Sequence, residues 1–198
     1  VHSAKSVMIS VDFAEIDAIL KEGRWEDGAK IMINAAKQLE AAGADFVLIC
    51  TNTLHKVADQ VQQAISIPLL HIADAAGEAV KAQNMQKVAL LGTRFTMQDD
   101  FIKGRLAEKF GLQVITPDAA DQETIHRVIF EELVIGKILP ASKAAYLDII
   151  KKLQAQNAEA VILGCTELGL LVKQEDCSLP LFDTTVVHAQ AAIEMAFS

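Results

Sequence analysis

The chain has 198 residues, 52% of them hydrophobic and 22% charged, with a formal net charge of −8 at pH 7. That is enough apolar material for one or two ordinary cores and nothing like the composition of disorder; no Lys/Arg cluster points to nucleic acid or an anionic membrane, no apolar run approaches the ~18 residues of a membrane span, and no basic-then-apolar leader opens the sequence. Three cysteines without C-x-x-C spacing argue against a disulfide scaffold, a zinc site or a thioredoxin-like motif, so reduced thiols, no metal and a cytoplasmic location are expected.

Taken in order, Lys5 to Val11 reads as a strand covered on both faces. Ile31, Ala35, Leu39 and Ala42 fall at helical spacing, ended by Gly43. The run Phe46-Val47-Leu48-Ile49 predicts a strand that stops at Cys50, with Thr51, Asn52 and Thr53 placed to cap the next helix. Leu69 to Ile72 predicts a strand, Ala75 to Ala82 a helix, and Asn84 to Lys87 a hinge. Lys87 to Thr93 is a second buried strand, Met97 to Phe110 one helix ended by Gly111, and Leu112 to Thr116 a strand stopped at Pro117. Two helical stripes follow, Ile125, Val128, Ile129 and Leu133 closed by Gly136, then Tyr146, Ile150 and Leu153. Ala160-Val161-Ile162-Leu163 runs as a strand into Gly164-Cys165-Thr166-Glu167, and strand Leu179 to Phe182 precedes a last helix from Val186 to Phe197. Strand and helix alternate, which calls for parallel α/β sheets whose carboxyl strand ends carry the site.

The two cysteine segments are copies of one pattern, 115 residues apart. Ala42-Gly43-Ala44-Asp45 precedes the first and Gln156-Asn157-Ala158-Glu159 the second; Ser66-Ile67-Pro68-Leu69-Leu70 is echoed by Ser178-Leu179-Pro180-Leu181-Phe182. The expected architecture is two similar parallel-sheet α/β lobes related by a pseudo-twofold, residues 1–83 with 184–198 and residues 84–183, with one thiol from each facing a shared cleft. A thiol just before a helix N-terminus is expected to ionise more easily, while Thr51, Asn52 and Thr53, and Thr166 and Glu167 in the other copy, could bind a carboxylate. A single cysteine in such a place is commonly a small buried hydrophobe. Two at matching positions, each followed by threonine, call for chemistry.

These segments, with Leu91-Gly92-Thr93-Arg94-Phe95-Thr96 between them and the two Pro-Leu strands, resemble the cofactor-independent aspartate/glutamate racemases over essentially the whole chain. The nearest branch is the bacterial aspartate racemases, including members of broad amino-acid specificity. The resemblance implies one thiol, Cys50 or Cys165, on each face of the substrate α-carbon, Asn52, Thr53, Thr96 and Thr166 holding the substrate with Thr51 and Thr93 beside them, no cofactor, and a homodimer. Family members begin with a strand, a glycine-rich loop and a helix ahead of the strand that here starts near Lys5; the first lobe is therefore expected to be short of a strand and a substrate loop.

Inverting an α-carbon takes a base on one face and an acid on the other, roles two thiols exchange when the direction reverses. Without pyridoxal phosphate the carbanion leans on hydrogen bonds to the α-carboxylate; Gly92-Thr93-Arg94 is no G-x-G-x-x-G loop and no P-loop is present. Lys137 and Arg94 are candidates to meet a side-chain carboxylate, each also readable as a solvated cation. Cys177 reads as a loop thiol, His55 and His188 as capping or core groups that could instead orient a thiolate, and Ser10 and Asp12 as cleft residues or, for Asp12, a cap. Alternatives are another reaction on the same frame, such as hydantoin racemisation, maleate isomerisation or malonate decarboxylation, and a non-catalytic amino-acid-binding protein.

Overall fold

The structure, a computed structural model, describes residues 3–198. The first regular element begins at Asp12, whose carboxylate accepts from Ala14 N at 3.0 Å and so caps α1 (Phe13–Glu22). Of its two readings, the cap holds. Lys5 to Val11 is not a strand: it has no regular structure, and Val7 and Met8 are 59% and 84% exposed. An apolar run becomes a strand only where a neighbour offers a backbone edge, and this stretch pairs with no described strand.

Next come α2 (Trp25–Ala41), β1 (Val47–Leu48), a 3-10 turn (Thr53–Val57), α3 (Ala58–Gln63) and β2 (Leu69–Leu70). β1 and β2 pair in parallel, Val47 opposite Leu69 and Leu48 opposite Leu70. Ile16, Leu20, Ala29 and Ala36 of α1 and α2 close over Val47, Ile49, Leu54 and Val57 to form this lobe's core.

The second sheet is built from β3 (Lys87–Gly92), β4 (Gln113–Ile115), β5 (Ala160–Gly164) and β6 (Leu181–Asp183), parallel throughout in the order β4-β3-β5-β6. β3 and β5 are central and almost wholly apolar because both faces are covered. One face carries α4 (Ile72–Ala82) and α6 (Asp100–Phe110), with Val80, Ile102 and Leu106 on Leu90 and Ile162. The other carries α7 (Ala119–Glu131) and α8 (Pro140–Ala155), with Ile125, Tyr146 and Ile150 on Ala89 and Val161. The remaining helices are α5 (Arg94–Gln98), the short α9 (Leu168–Leu171) and α10 (Thr184–Phe197), which packs on α4.

The single helix expected from Met97 to Phe110 is two. Asp99 has an extended backbone (φ −79, ψ 161) that ends α5 and starts α6, and its carboxylate is taken by Lys56 of the other lobe at 2.7 Å. α4 and α10 also begin earlier than expected, at Ile72 and Thr184, because the residues before them cap: His71 Nδ1 accepts from Ala73 N at 3.1 Å and Asp183 Oδ1 from Thr185 N at 2.9 Å.

The duplication extends to individual hydrogen bonds. Val47 N donates to Pro68 O and Val161 N to Pro180 O, both at 2.9 Å. Gln62 donates to Ile67 O and accepts from Leu69 N (3.0 and 2.7 Å); Gln174 donates to Leu179 O and accepts from Leu181 N (3.0 and 2.9 Å). The left-handed turn before each cysteine strand is Gly43 (φ +85) in one copy and Asn157 (φ +67) in the other, the residue types that tolerate it best.

Candidate active site

Each thiol follows the carboxyl end of a parallel strand, Cys50 after β1 and Cys165 after β5. Cys50 is exposed and Cys165 buried. Beyond Cys50 the side chains do not cap a helix as expected: the next element is the short 3-10 turn, and no side-chain bond caps it. The side chains bond across to the second sheet instead. Asn52 Nδ2 donates to Thr184 Oγ1 at 3.0 Å, and Thr184 Oγ1 donates to Leu163 O at 2.8 Å. Thr53 Oγ1 lies 3.2 Å from Thr93 Oγ1, itself 3.2 Å from Thr96 Oγ1. Trp25 meets Phe95 edge-on at 5.4 Å nearby. The loop after Cys50 is therefore fastened to the strand ends before Thr93 and Cys165.

His55 holds this loop from behind. Its Nε2 accepts from Ile72 N at 3.1 Å, so Nδ1 carries the proton and donates to Thr51 O at 2.7 Å. Burial, first of all, holds its pKa well below the ordinary histidine value. A neutral imidazole with both nitrogens engaged is a structural group. His188 is similar, donating from Nε2 to Leu70 O at 2.9 Å.

Around Cys165 the chemistry is different. Its Sγ donates to Glu167 Oε2 at 3.0 Å, and Thr166 Oγ1 donates to the same oxygen at 2.7 Å. Burial pushes the thiol well above its usual range and the Glu167 carboxylate adds to the shift. The lowering expected from N–H groups after the strand is present, from the backbone of Glu167 and Thr166, but burial and the carboxylate outweigh it. The floor beside Cys165 is made by Gly92 and Gly164, paired across β3 and β5. A Cβ on Gly92 would sit 2.7 Å from Gly164 O, and one on Gly164 2.9 Å from Leu91 O; only glycine lets these strand ends and Thr96 approach so closely.

Cys50, Thr51, Asn52, Thr53, Thr93 and Thr96 thus form one connected group, joined through Thr184 and Leu163 to the strand bearing Cys165, Thr166 and Glu167. Other candidates stand apart. Arg94 is exposed and paired with Glu123 at 3.1 Å. Lys137 lies on an exposed loop behind the left-handed Gly136, its ammonium without an ion pair among the described residues; the turn before it (Leu133–Ile135) packs on α9. Cys177 is half-buried against the second core, and Ser10 is exposed. Among the described residues no group of three His, Cys, Asp or Glu could hold a metal ion. Thr184, absent from the sequence reading, sits one residue past the end of β6; its signal is the repeat, which makes the strand ends after Pro68 and Pro180 equivalent.

The sequence model of the Asp/Glu/Hydantoin racemase family matches residues 3–192. A crystal structure from Yersinia pestis, designated a candidate Asp/Glu racemase, is 50% identical with a TM-score of 0.93, covering 100% of this chain and 86% of that one. An aspartate racemase homologue from Pyrococcus horikoshii is 39% identical with a TM-score of 0.84, over 97% of this chain and 83% of that one. The broad specificity amino-acid racemase RacX of Bacillus subtilis is 26% identical over 166 residues, 83% of this chain and 70% of its own. With paired cysteine strands, a parallel two-lobe fold and a family match over nearly its whole length, the chain belongs to the Asp/Glu/Hydantoin racemase family.

Proposed function

We propose that this member of an amino-acid racemase family interconverts the L- and D-forms of an acidic amino acid, aspartate or glutamate, by proton transfer between Cys50, Cys165 and the α-carbon, without a cofactor. The observation that carries the reading is the double fastening of the Cys50 loop to the second sheet through Asn52–Thr184 and Thr53–Thr93. It ties the loop that follows one thiol to the strand that leads into the other, which supports a shared site.

In the direction starting from the L-form, the Cys165 proton passes to the Glu167 carboxylate that it already contacts at 3.0 Å. The thiolate then takes the α-proton, and the Cys50 thiol returns one to the opposite face, leaving a Cys50 thiolate that regains a proton from solvent as Glu167 releases the one it took, before the next turnover from the L-form. From the D-form the roles exchange, with Cys50 as thiolate and Cys165 as the donor. Hydrogen bonds from Asn52, Thr53 and Thr166 to the α-carboxylate stabilise the carbanion. By resemblance the working unit is a cytoplasmic homodimer, and Lys137 meets the side-chain carboxylate.

An amino acid with a good β-leaving group separates the two thiols, because elimination needs only the first proton transfer. Cys50→Ser should lose racemisation in both directions yet eliminate from the L-form in preference, and Cys165→Ser from the D-form. If both variants prefer the same enantiomer, the opposed two-thiol reading is wrong.

A further inference from the structure

Asn52 is 3% exposed, and its Oδ1 is the one buried side-chain polar atom without a hydrogen-bond partner among the described residues. The orientation of its amide is nevertheless fixed by bonding. Thr184 Oγ1 has a single proton, given to Leu163 O at 2.8 Å, so toward Asn52 it can only accept, and the atom facing it at 3.0 Å must be Nδ2. The oxygen is left free. A buried acceptor without a donor costs about 1–3 kcal/mol, and the amide turned over would set two acceptors against each other, so Thr184 keeps the unpaired oxygen where it is. Thr184 is itself 2% exposed and opens α10, while Leu163 lies two residues before Cys165.

We propose that Thr184 is a positioning residue of the site: it locks the Asn52 amide with its oxygen unpaired, as the acceptor kept for the substrate α-ammonium, and it ties the loop after Cys50 to the strand that carries Cys165. The inference rests on the racemase reading for the ligand, but the lock itself does not depend on it. An α-amino acid supplies the N–H donor that Asn52 Oδ1 lacks; the corresponding acid without the amino group cannot. Discrimination between the two is therefore the property that Thr184 controls.

Two measurements on the full chain test this. Calorimetric binding of L-aspartate and of succinate, which lacks the ammonium, should favour aspartate in the wild type. In Thr184→Val, which keeps the shape and removes the hydroxyl, the ratio of the two affinities should fall about five- to tenfold, while Thr184→Ser restores it. A looser fold would weaken both ligands together; an unchanged ratio in Thr184→Val, or equal loss in Thr184→Ser, overturns the proposal. Hydrogen exchange at the Asn52 side-chain amide, followed by NMR without ligand, should be slow in the wild type and Thr184→Ser and fast in Thr184→Val. Equally slow exchange in Thr184→Val overturns the lock, whereas a slow amide in a wild-type protein that binds neither acid overturns the racemase reading and the ammonium role while leaving the lock standing.

Discussion

At the scale of the residue, the two thiols differ because of what stands beside them. Cys165 is buried and donates a hydrogen bond to Glu167, so desolvation first and the carboxylate second raise its pKa. Glu167→Gln removes the second cause and leaves the first. Titration of Cys165, read as iodoacetamide alkylation rate against pH with peptide mapping, should move to lower pH in the variant and still lie above an ordinary thiol; an upward shift would show that the carboxylate does not raise it. The candidate residues could be picked out because a cysteine followed by threonine recurs at matching places in a repeat. For Thr184 the repeat marks only the strand end: a threonine after aspartate there reads as a helix cap, and its partner Asn52 is 132 residues away, a distance no local pattern spans. Nor could the sequence reveal that the helix after Cys165 is a single turn.

At the scale of the element, the matching Gln62 and Gln174 staples and the matching caps His71 and Asp183 show one unit folded twice. The central strands were readable as unbroken apolar runs, and the repeat placed both cysteine strands. α1 was missed although Ile16, Ile19 and Leu20 fall at helical spacing behind the Asp12 cap, and the break at Asp99 because it is a change in the backbone of that one residue inside a run of helix formers. The caps differ in one respect with a measurable effect. Burial, with Arg105 adding to it against the pull of Asp74, and His188 and Lys109 adding further, lowers His71 from 6.5 to about 3; His55, packed on it at 4.5 Å, shifts the same way. Below pH 6.5 the unfolded chain takes up a proton that folded His71 refuses, so stability is full above 6.5 and falls as pH drops toward about 3. Asp74, where the Arg105 and Lys109 bonds outweigh burial and hold it to about 2, loses its contribution only below 3.8, outside the upper part of this range. His71→Asn keeps a cap acceptor that does not titrate. Between pH 6.5 and about 5 the wild type should lose about 2 kcal/mol more than the variant in urea unfolding; parallel losses would remove His71 as the cause.

At the scale of the whole molecule, the parallel two-lobe architecture follows from the alternation of strand and helix, but the way α4 and α10 pack on each other and over the larger sheet is a matter of long-range apolar matching that no window of sequence contains. Net charge is the one global property that bears directly on the proposed acidic substrate. At −8 the chain repels an acidic amino acid, whose own net charge is negative, and local donors must overcome that field. At an ionic strength of about 10 mM the screening length is about 30 Å and the whole charge distribution acts on the approaching substrate; at about 150 mM it is about 8 Å and only groups beside the cleft act. The KM for aspartate should therefore fall about twofold as salt rises over this range, while that of a neutral amino acid such as alanine stays level. A KM that rises with salt would mean that a cation near the cleft outweighs the global field, and Lys137→Ala would then identify it: in that variant the salt dependence should reverse for aspartate and remain flat for alanine. Dependence of the same size for both amino acids would exclude charge as its origin.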